Sequence, residues 1–191
     1  MNPTKVITGI VRFSYANVWD PKPSLNGGKD KYSVSLIIKK SDKKTLDDIN
    51  KAIEAAYNEG QGKLKGTGKT VPPLSQIHTP LRDGDIDRPD DPAYAGCYFI
   101  NANSDNKPGI VDAACKPIID RSECYSGCYG RASLNLYCYF VNGNRGIAAG
   151  LNNLQVVRQG EPLGSRSRAE DDFAEFAGDD SADGYVEGLL D

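Results

Sequence analysis

Residues 31–39 alternate between apolar and polar positions: Tyr32, Val34, Leu36 and Ile38 take one face, Lys31, Ser33, Ser35 and Lys39 the other. A period of two with one polar face predicts a half-buried strand. Residues 5–15, rich in β-branched and aromatic types, predict another, and a loop marked by Pro21, Pro23, Gly27 and Gly28 follows it. Over residues 42–58 the spacing becomes helical, with Leu46, Ile49, Ile53, Ala56 and Tyr57 recurring on one side, Ser41 as the N-cap and Gly60 as the stop. Residues 60–73 interleave glycine with Lys63, Lys65 and Lys69 and read as a flexible connection without the frame of a phosphate-binding loop. Residues 81–92 have loop composition. Strand patterns return at 97–103, 109–113 and 130–141, then Asn142-Gly143-Asn144 signals a hairpin turn into a partner strand at 145–157.

Five or six strands with a single helix in the middle of the order exclude a doubly wound sheet. The prediction is a mainly β fold: an oligonucleotide-binding (OB) barrel of five to six strands with one inserted α-helix. Its expected bounds are residues 1–163, with a linker at 164–169 and an acidic tail at 170–191. The tail has too much charge and too few apolar residues to fold alone, so it is expected to be disordered.

Charge sharpens that division. Nine of the 26 acids, and none of the 23 bases, fall in residues 170–191, so residues 1–169 set 23 bases against 17 acids. A net acidic chain therefore contains a basic body, which points to a polyanionic partner. The five cysteines form no CxxC pair, and His78 is the one histidine, so neither a zinc site nor a cofactor is expected. With no signal segment and no apolar run long enough to span a bilayer, the expected location is the cytoplasm.

The candidate chemistry follows from the strands. On 130–141, Leu134, Leu136, Cys138 and Phe140 should face the core, leaving Arg131, Ser133, Asn135, Tyr137 and Tyr139 outside. Two tyrosines beside arginine and asparagine suit base stacking, although the same rings would serve as well under a covering loop. On 97–103, Tyr98, Ile100 and Ala102 should face in and Phe99, Asn101 and Asn103 out; Arg12 and Tyr15 interleave base and aromatic near the N-terminus. Arg12, Tyr15, Phe99, Asn101, Arg131, Asn135, Tyr137 and Tyr139, with Lys31, Lys63, Lys65 and Lys69, form the candidate DNA-binding set. A different reading places a divalent metal on Asp83, Asp85, Asp87, Asp90 and Asp91 for a nuclease or junction-processing enzyme. In the tail, Phe173, Phe176, Tyr185, Leu189 and Leu190 punctuate the acids as a docking peptide would.

The segments KVITGIVRFSYANVW, KYSVSLIIKKSDKKTL, TPLRDGDIDRPDDPAYAG, FINANSDNKPGIVD, SGCYGRASLNLYCY and GIAAGLNNLQVVRQGEPLG resemble bacteriophage and prophage single-stranded-DNA-binding proteins. The resemblance spans nearly all of residues 4–170. It implies a non-enzymatic OB barrel coating ssDNA during phage replication and recombination in the bacterial host cytoplasm. It also implies an acidic C-terminal tail, which by its own pattern is expected to dock phage or host replication or recombination proteins and to compete with DNA for the basic body. Here the tail ends in Gly188-Leu189-Leu190-Asp191 rather than in a terminal aromatic. A phage structural protein is the remaining alternative, and homo-oligomerisation is left open.

Overall fold

The computed structural model describes residues 2–24 and 27–164. Its strands are β1 (Lys5–Ile7), β2 (Val11–Lys22), β3 (Lys31–Lys39), β4 (Leu81–Asp83), β5 (Cys97–Ser104), β6 (Gly109–Val111), β7 (Tyr129–Val141) and β8 (Asn144–Arg158), with helices α1 (Lys43–Glu59), α2 (Gln61–Lys65) and α3 (Gly84–Asp87). β7, β2, β3, β5 and β8 pair in that order, and β8 pairs back onto β7, so five strands close into a ring. All pairings round the ring are antiparallel except β5 with β8. Three short strands lie outside it: β1 on β7, β4 on β5 and β6 on β8. This is the OB-type barrel expected, carrying more short strands than the alternation announced.

The apolar faces of the long strands meet inside the ring. Val34, Leu36 and Ile38 of β3 join Ile100 and Ala102 of β5, Leu134, Leu136 and Cys138 of β7, and Ile147, Leu151 and Leu154 of β8 in one core. α1 adds Leu46, Ile49, Ala52, Ile53 and Ala56 to the same cluster. Burying each large aliphatic side chain contributes about 1.5–3 kcal/mol, and that, rather than helix propensity, holds α1 on the barrel.

Several local details differ from the sequence expectation. The helix is capped by Asp42, whose carboxylate accepts from the Thr45 N–H at 3.2 Å, and not by Ser41. Gly60 ends the helix as expected, its N–H bonding to the Ala56 carbonyl. The glycine-lysine stretch is not featureless, because the fully buried Leu64 anchors α2 against β7. The 5–15 strand breaks at Gly9, whose N–H donates to Thr45 Oγ1 at 2.9 Å, while β2 runs on through Pro21. The hairpin turn is the predicted one: Asn142 and Gly143 have φ of 51° and 80°, the pair of left-handed residues that a type I′ turn requires.

The largest departure lies outside the ring. Ile37, Tyr94, Cys97 and Phe99 form a second small core on the outer face of β3 and β5, with Ala93 and Leu163 packed against it. Residues 84–95 fold over this face, and the Tyr94 hydroxyl donates to Ser35 Oγ at 3.0 Å. The last described residues are tied down beside it. Arg12 Nη2 donates to the Glu161 carbonyl at 2.7 Å, and the Leu163 N–H donates to the Ser126 carbonyl at 2.8 Å. Gly127, at φ 122°, passes so close to the Glu161 carbonyl that any Cβ there would collide with it. The expected tail, with Phe173, Phe176, Tyr185, Leu189 and Leu190, lies outside the described residues.

Candidate nucleic-acid interface

OB barrels bind oligonucleotides on the outer face of their second and third strands, flanked by the loops joining strands one to two and four to five. Those strands are β3 and β5 here, and the fourth-to-fifth connection is the Asn142–Gly143 turn. A polar row crosses this face in register: Asn17 of β2 pairs with Ser33 of β3, Ser33 with Asn103 of β5, Asn103 with Gly150 of β8, and Gly150 with Asn135 of β7. The outer surface of β3 and β5 is thus continuous with the β7 face carrying Tyr137.

Tyr15 stands out on this surface. It is 56% exposed, in a strand whose register shifts between Ser14 and Asn17, and its φ is 45°. A bulge turns its side chain out of the pleat, and the left-handed conformation is costly for a bulky residue. Neighbouring bonds hold it there. Asn17 Nδ2 donates to the Tyr15 carbonyl at 3.2 Å and to Ser33 Oγ at 3.3 Å, and the Ala16 N–H donates to Ser126 Oγ at 2.9 Å. Strain of this kind concentrates at functional sites.

Arg88 reaches Tyr15 from the covering segment. Its guanidinium lies 5.0 Å from the Tyr15 ring centre, 4.9 Å from Tyr94 and 5.3 Å from Phe99. Among the described residues its side chain makes no hydrogen bond or ion pair, although Asp87, Asp90 and Asp91 are near it in sequence. A cation fixed by rings with its donors unspent is suited to a phosphate.

The aspartates of this segment do other work. Lys40 Nζ sits 2.8 Å from Asp83 and 2.7 Å from Asp85, and Arg82 Nε sits 2.9 Å from Asp87. Asp85 also accepts from the Gly96 N–H at 2.9 Å, and Asp91 caps the turn at Pro92–Tyr94. The Lys40 ammonium and then the Gly96 N–H hold the Asp85 carboxyl below the usual carboxylate range. The hydrogen bonds it donates to Asp83 and Asp85 push the Lys40 ammonium well above its ordinary value. These carboxylates pin the cover to β3 and β5. They do not converge as a metal site, since among the described residues no three metal-ligating side chains cluster.

The other candidate residues divide. Phe99 faces outward as its position in the alternation predicts, but Tyr94 packs edge-on against it at 5.1 Å and leaves it 1% exposed, so it offers no stacking surface. Arg12 is occupied structurally: besides its bond to Glu161, its Nε donates to the Gly127 carbonyl at 3.2 Å. Lys31 pairs with Asp105 at 3.5 Å, and Arg131 donates to Gln155 at 3.1 Å. Asn101 is exposed on β5. Lys63, Asn135 and Tyr137 are brought together in a cleft of about 560 Å³ between the end of α1, α2 and β7. Asn135 Oδ1 is buried there without a partner, and Tyr137 is 43% exposed. Tyr139 lies across Gly146 on β8 and is half-buried. Lys65 and Lys69 are exposed around α2.

Sequence reasoning missed Arg88, Tyr129 and Arg158. Arg88 lies in a loop whose signal is its aspartates. Tyr129 falls one residue before the strand as predicted, and Arg158 one residue after its partner.

The family profile described as "Enterobacter phage Enc34, ssDNA-binding protein" matches residues 4–185. Putative protein p50 of Acyrthosiphon pisum secondary endosymbiont phage 1 is 28% identical over 164 residues, 82% of this chain and 85% of that protein. The structure of the Enc34 single-stranded DNA-binding protein in complex with ssDNA superposes with a TM-score of 0.68 at 25% identity, covering 84% of this chain and 90% of that one. The T7 single-stranded DNA-binding protein gp2.5 shares the fold, with a TM-score of 0.59 at 16% identity over 88% of this chain and 99% of its own.

Proposed function

The chain belongs to the family of the Enterobacter phage Enc34 ssDNA-binding protein, and we propose on that footing that it binds single-stranded DNA non-enzymatically and with little sequence preference. The observation that carries this reading is the Tyr15–Arg88 pair. An exposed ring turned out by a bulge lies beside a guanidinium with unspent donors, on the face where OB barrels take oligonucleotides. A base stacks on Tyr15 and a neighbouring phosphate meets Arg88. Stacking accepts any base, which accounts for the lack of sequence preference. Across the outer face, Asn101, Asn135 and Tyr137 carry the contact surface towards Lys63, Lys65 and Lys69.

The setting is phage replication and recombination in the bacterial host cytoplasm, and among the described residues no helix is long and apolar enough to cross a membrane. The acidic residues beyond 170 compete with DNA and dock a replication or recombination protein. Competition is supported by the place where the chain leaves the barrel: Leu163 and Gly164 line a hollow of about 210 Å³ together with Tyr15. A tethered polyanion released there meets the DNA site at high local concentration.

A gel shift with oligo(dT), with and without Mg²⁺, tests the reading. Retarded, intact oligonucleotide is expected in both conditions. Mg²⁺-dependent cleavage would restore the nuclease alternative, and no binding at low salt would remove ssDNA as the ligand.

A further inference from the structure

We propose that Arg158, stacked on Tyr129, is a second phosphate-binding station on the ssDNA path, reached from Tyr15 and Arg88 across the turn at Pro92 and Ala93. The inference rests on the reading of the chain as an ssDNA-binding protein. It extends that reading to a surface at the opposite end of the cover.

The guanidinium carbon of Arg158 lies 3.9 Å from the centre of the Tyr129 ring. Arg12 approaches the same ring at 5.3 Å, but its donors are bonded to the Gly127 and Glu161 carbonyls. Arg158 differs: it is exposed at the end of β8, and among the described residues its side chain makes no hydrogen bond or ion pair. Stacking orients the planar fork without using its N–H groups, so they are available to take a phosphate in bidentate fashion. Arg88 on Tyr15 repeats this arrangement. Of the arginines that lie over rings, Arg12, Arg82 and Arg145 all donate to protein acceptors.

Arg158 stands on the wall of a groove of about 510 Å³, with Ile10 and Ile37 as apolar surface and Arg12 and Lys39 as further cations. One carboxylate, Asp42, borders the groove, and it is engaged in capping α1. Ile10 is 45% exposed and offers a sugar or base an apolar contact. Pro92 and Ala93 line this groove; Pro92 also borders the hollow of Tyr15 and Arg88, and Ala93 the second hollow beside Tyr15. A strand laid on Tyr15 therefore passes over Ala93 into the groove without leaving the outer surface of the barrel.

The chain's own acidic tail would find the same donors attractive, and the two occupants predict opposite signs. The test measures binding of oligo(dT) by the full-length protein and its Arg158→Gln and Arg88→Gln variants across a salt series. Oligonucleotides of about five and about sixteen nucleotides bracket the range an OB fold covers. With the longer oligonucleotide, Arg158→Gln is expected to flatten the slope of log K against log[salt] by about 0.7 and to weaken binding about five-fold at 0.1 M salt, the share of one phosphate contact. The shorter oligonucleotide should respond to Arg88→Gln and hardly at all to Arg158→Gln. Arg158→Lys, which keeps the charge but loses the fork, should fall between. An unchanged slope in Arg158→Gln, with Arg88→Gln still impaired, overturns the second station and leaves the ssDNA reading standing. Tighter binding by Arg158→Gln also overturns it, because Arg158 would then be holding the tail. A wild-type protein that binds neither oligonucleotide at low salt overturns the underlying reading.

Discussion

The guanidinium of Arg88 lies 5.0 Å from the ring centre of Tyr15, joining a loop residue to a bulged strand residue 73 positions away in sequence. The cover over β3 and β5 and the exposed ring beside it are thereby one assembly. A change in either residue should be felt as binding.

Tyr15→Gly separates the two effects. It removes the stacking ring, which costs about 1–3 kcal/mol of ssDNA binding. It also removes the left-handed penalty of about 1–2 kcal/mol, offset by the greater unfolded-state freedom of glycine. Stability should stay within about 1 kcal/mol of wild type while affinity falls by about five- to 160-fold. Thermal unfolding and oligo(dT) anisotropy on the same samples check both halves.

Phe99→Ala should behave in the reverse way. The ring is 1% exposed and closes the second core with Tyr94, so its truncation should cost about 3–5 kcal/mol of stability. Tyr137→Ala, on a ring 43% exposed, should cost little stability. Urea unfolding of the two variants distinguishes a core ring from a surface ring. A Phe99→Ala protein of wild-type stability would show that the cover opens readily.

That contrast shows where the sequence was legible. On β7, alternation alone separated Leu134, Leu136 and Cys138 from Arg131, Ser133 and Tyr137, because a hairpin turn fixed the register and one partner strand did the rest. The same alternation turned Phe99 outward correctly, yet its burial depends on Tyr94 and on a cover pinned by Lys40 to Asp83 and Asp85. No local pattern encodes those long-range contacts. Tyr15 stood among the candidate contacts as an aromatic next to a base, but its bulge was not legible, since it is held by Asn17 two residues on and by the distant Ser126.

Acid should loosen the cover before it unfolds the barrel. Asp85 titrates below its unfolded value because Lys40 and the Gly96 N–H favour its charged form. Its contribution is therefore complete above the ordinary aspartate range near about 4 and is lost as pH falls through the lower folded value. Lys40, raised by the same contact, stays charged throughout the usable range. Protection of the Gly96 amide against hydrogen exchange, corrected for intrinsic rates, should be flat from neutral pH to about 5 and should decline only below about 4. Loss beginning near neutral pH would mean that another group controls the cover.

Deleting residues 170–191 removes nine acids and no bases. At low salt the shortened protein should bind oligo(dT) more tightly than the full chain, with the difference shrinking as salt rises and the Debye length contracts. Equal affinity at low salt would reduce these residues to a solubilising extension.

The anchoring of Glu161 by Arg12 and of Leu163 by Ser126 has a practical consequence for anyone handling this protein. Whatever is fused after Gly164 is delivered to the edge of the surface that holds Tyr15. By contrast, Thr4 accepts from the Leu136 N–H and lies with β1 beside the α1–β7 cleft. A fluorophore or affinity handle joined directly after Gly164 will report on the Tyr15 surface and crowd it; one attached ahead of Thr4 will sit instead by the cleft of Lys63, Asn135 and Tyr137.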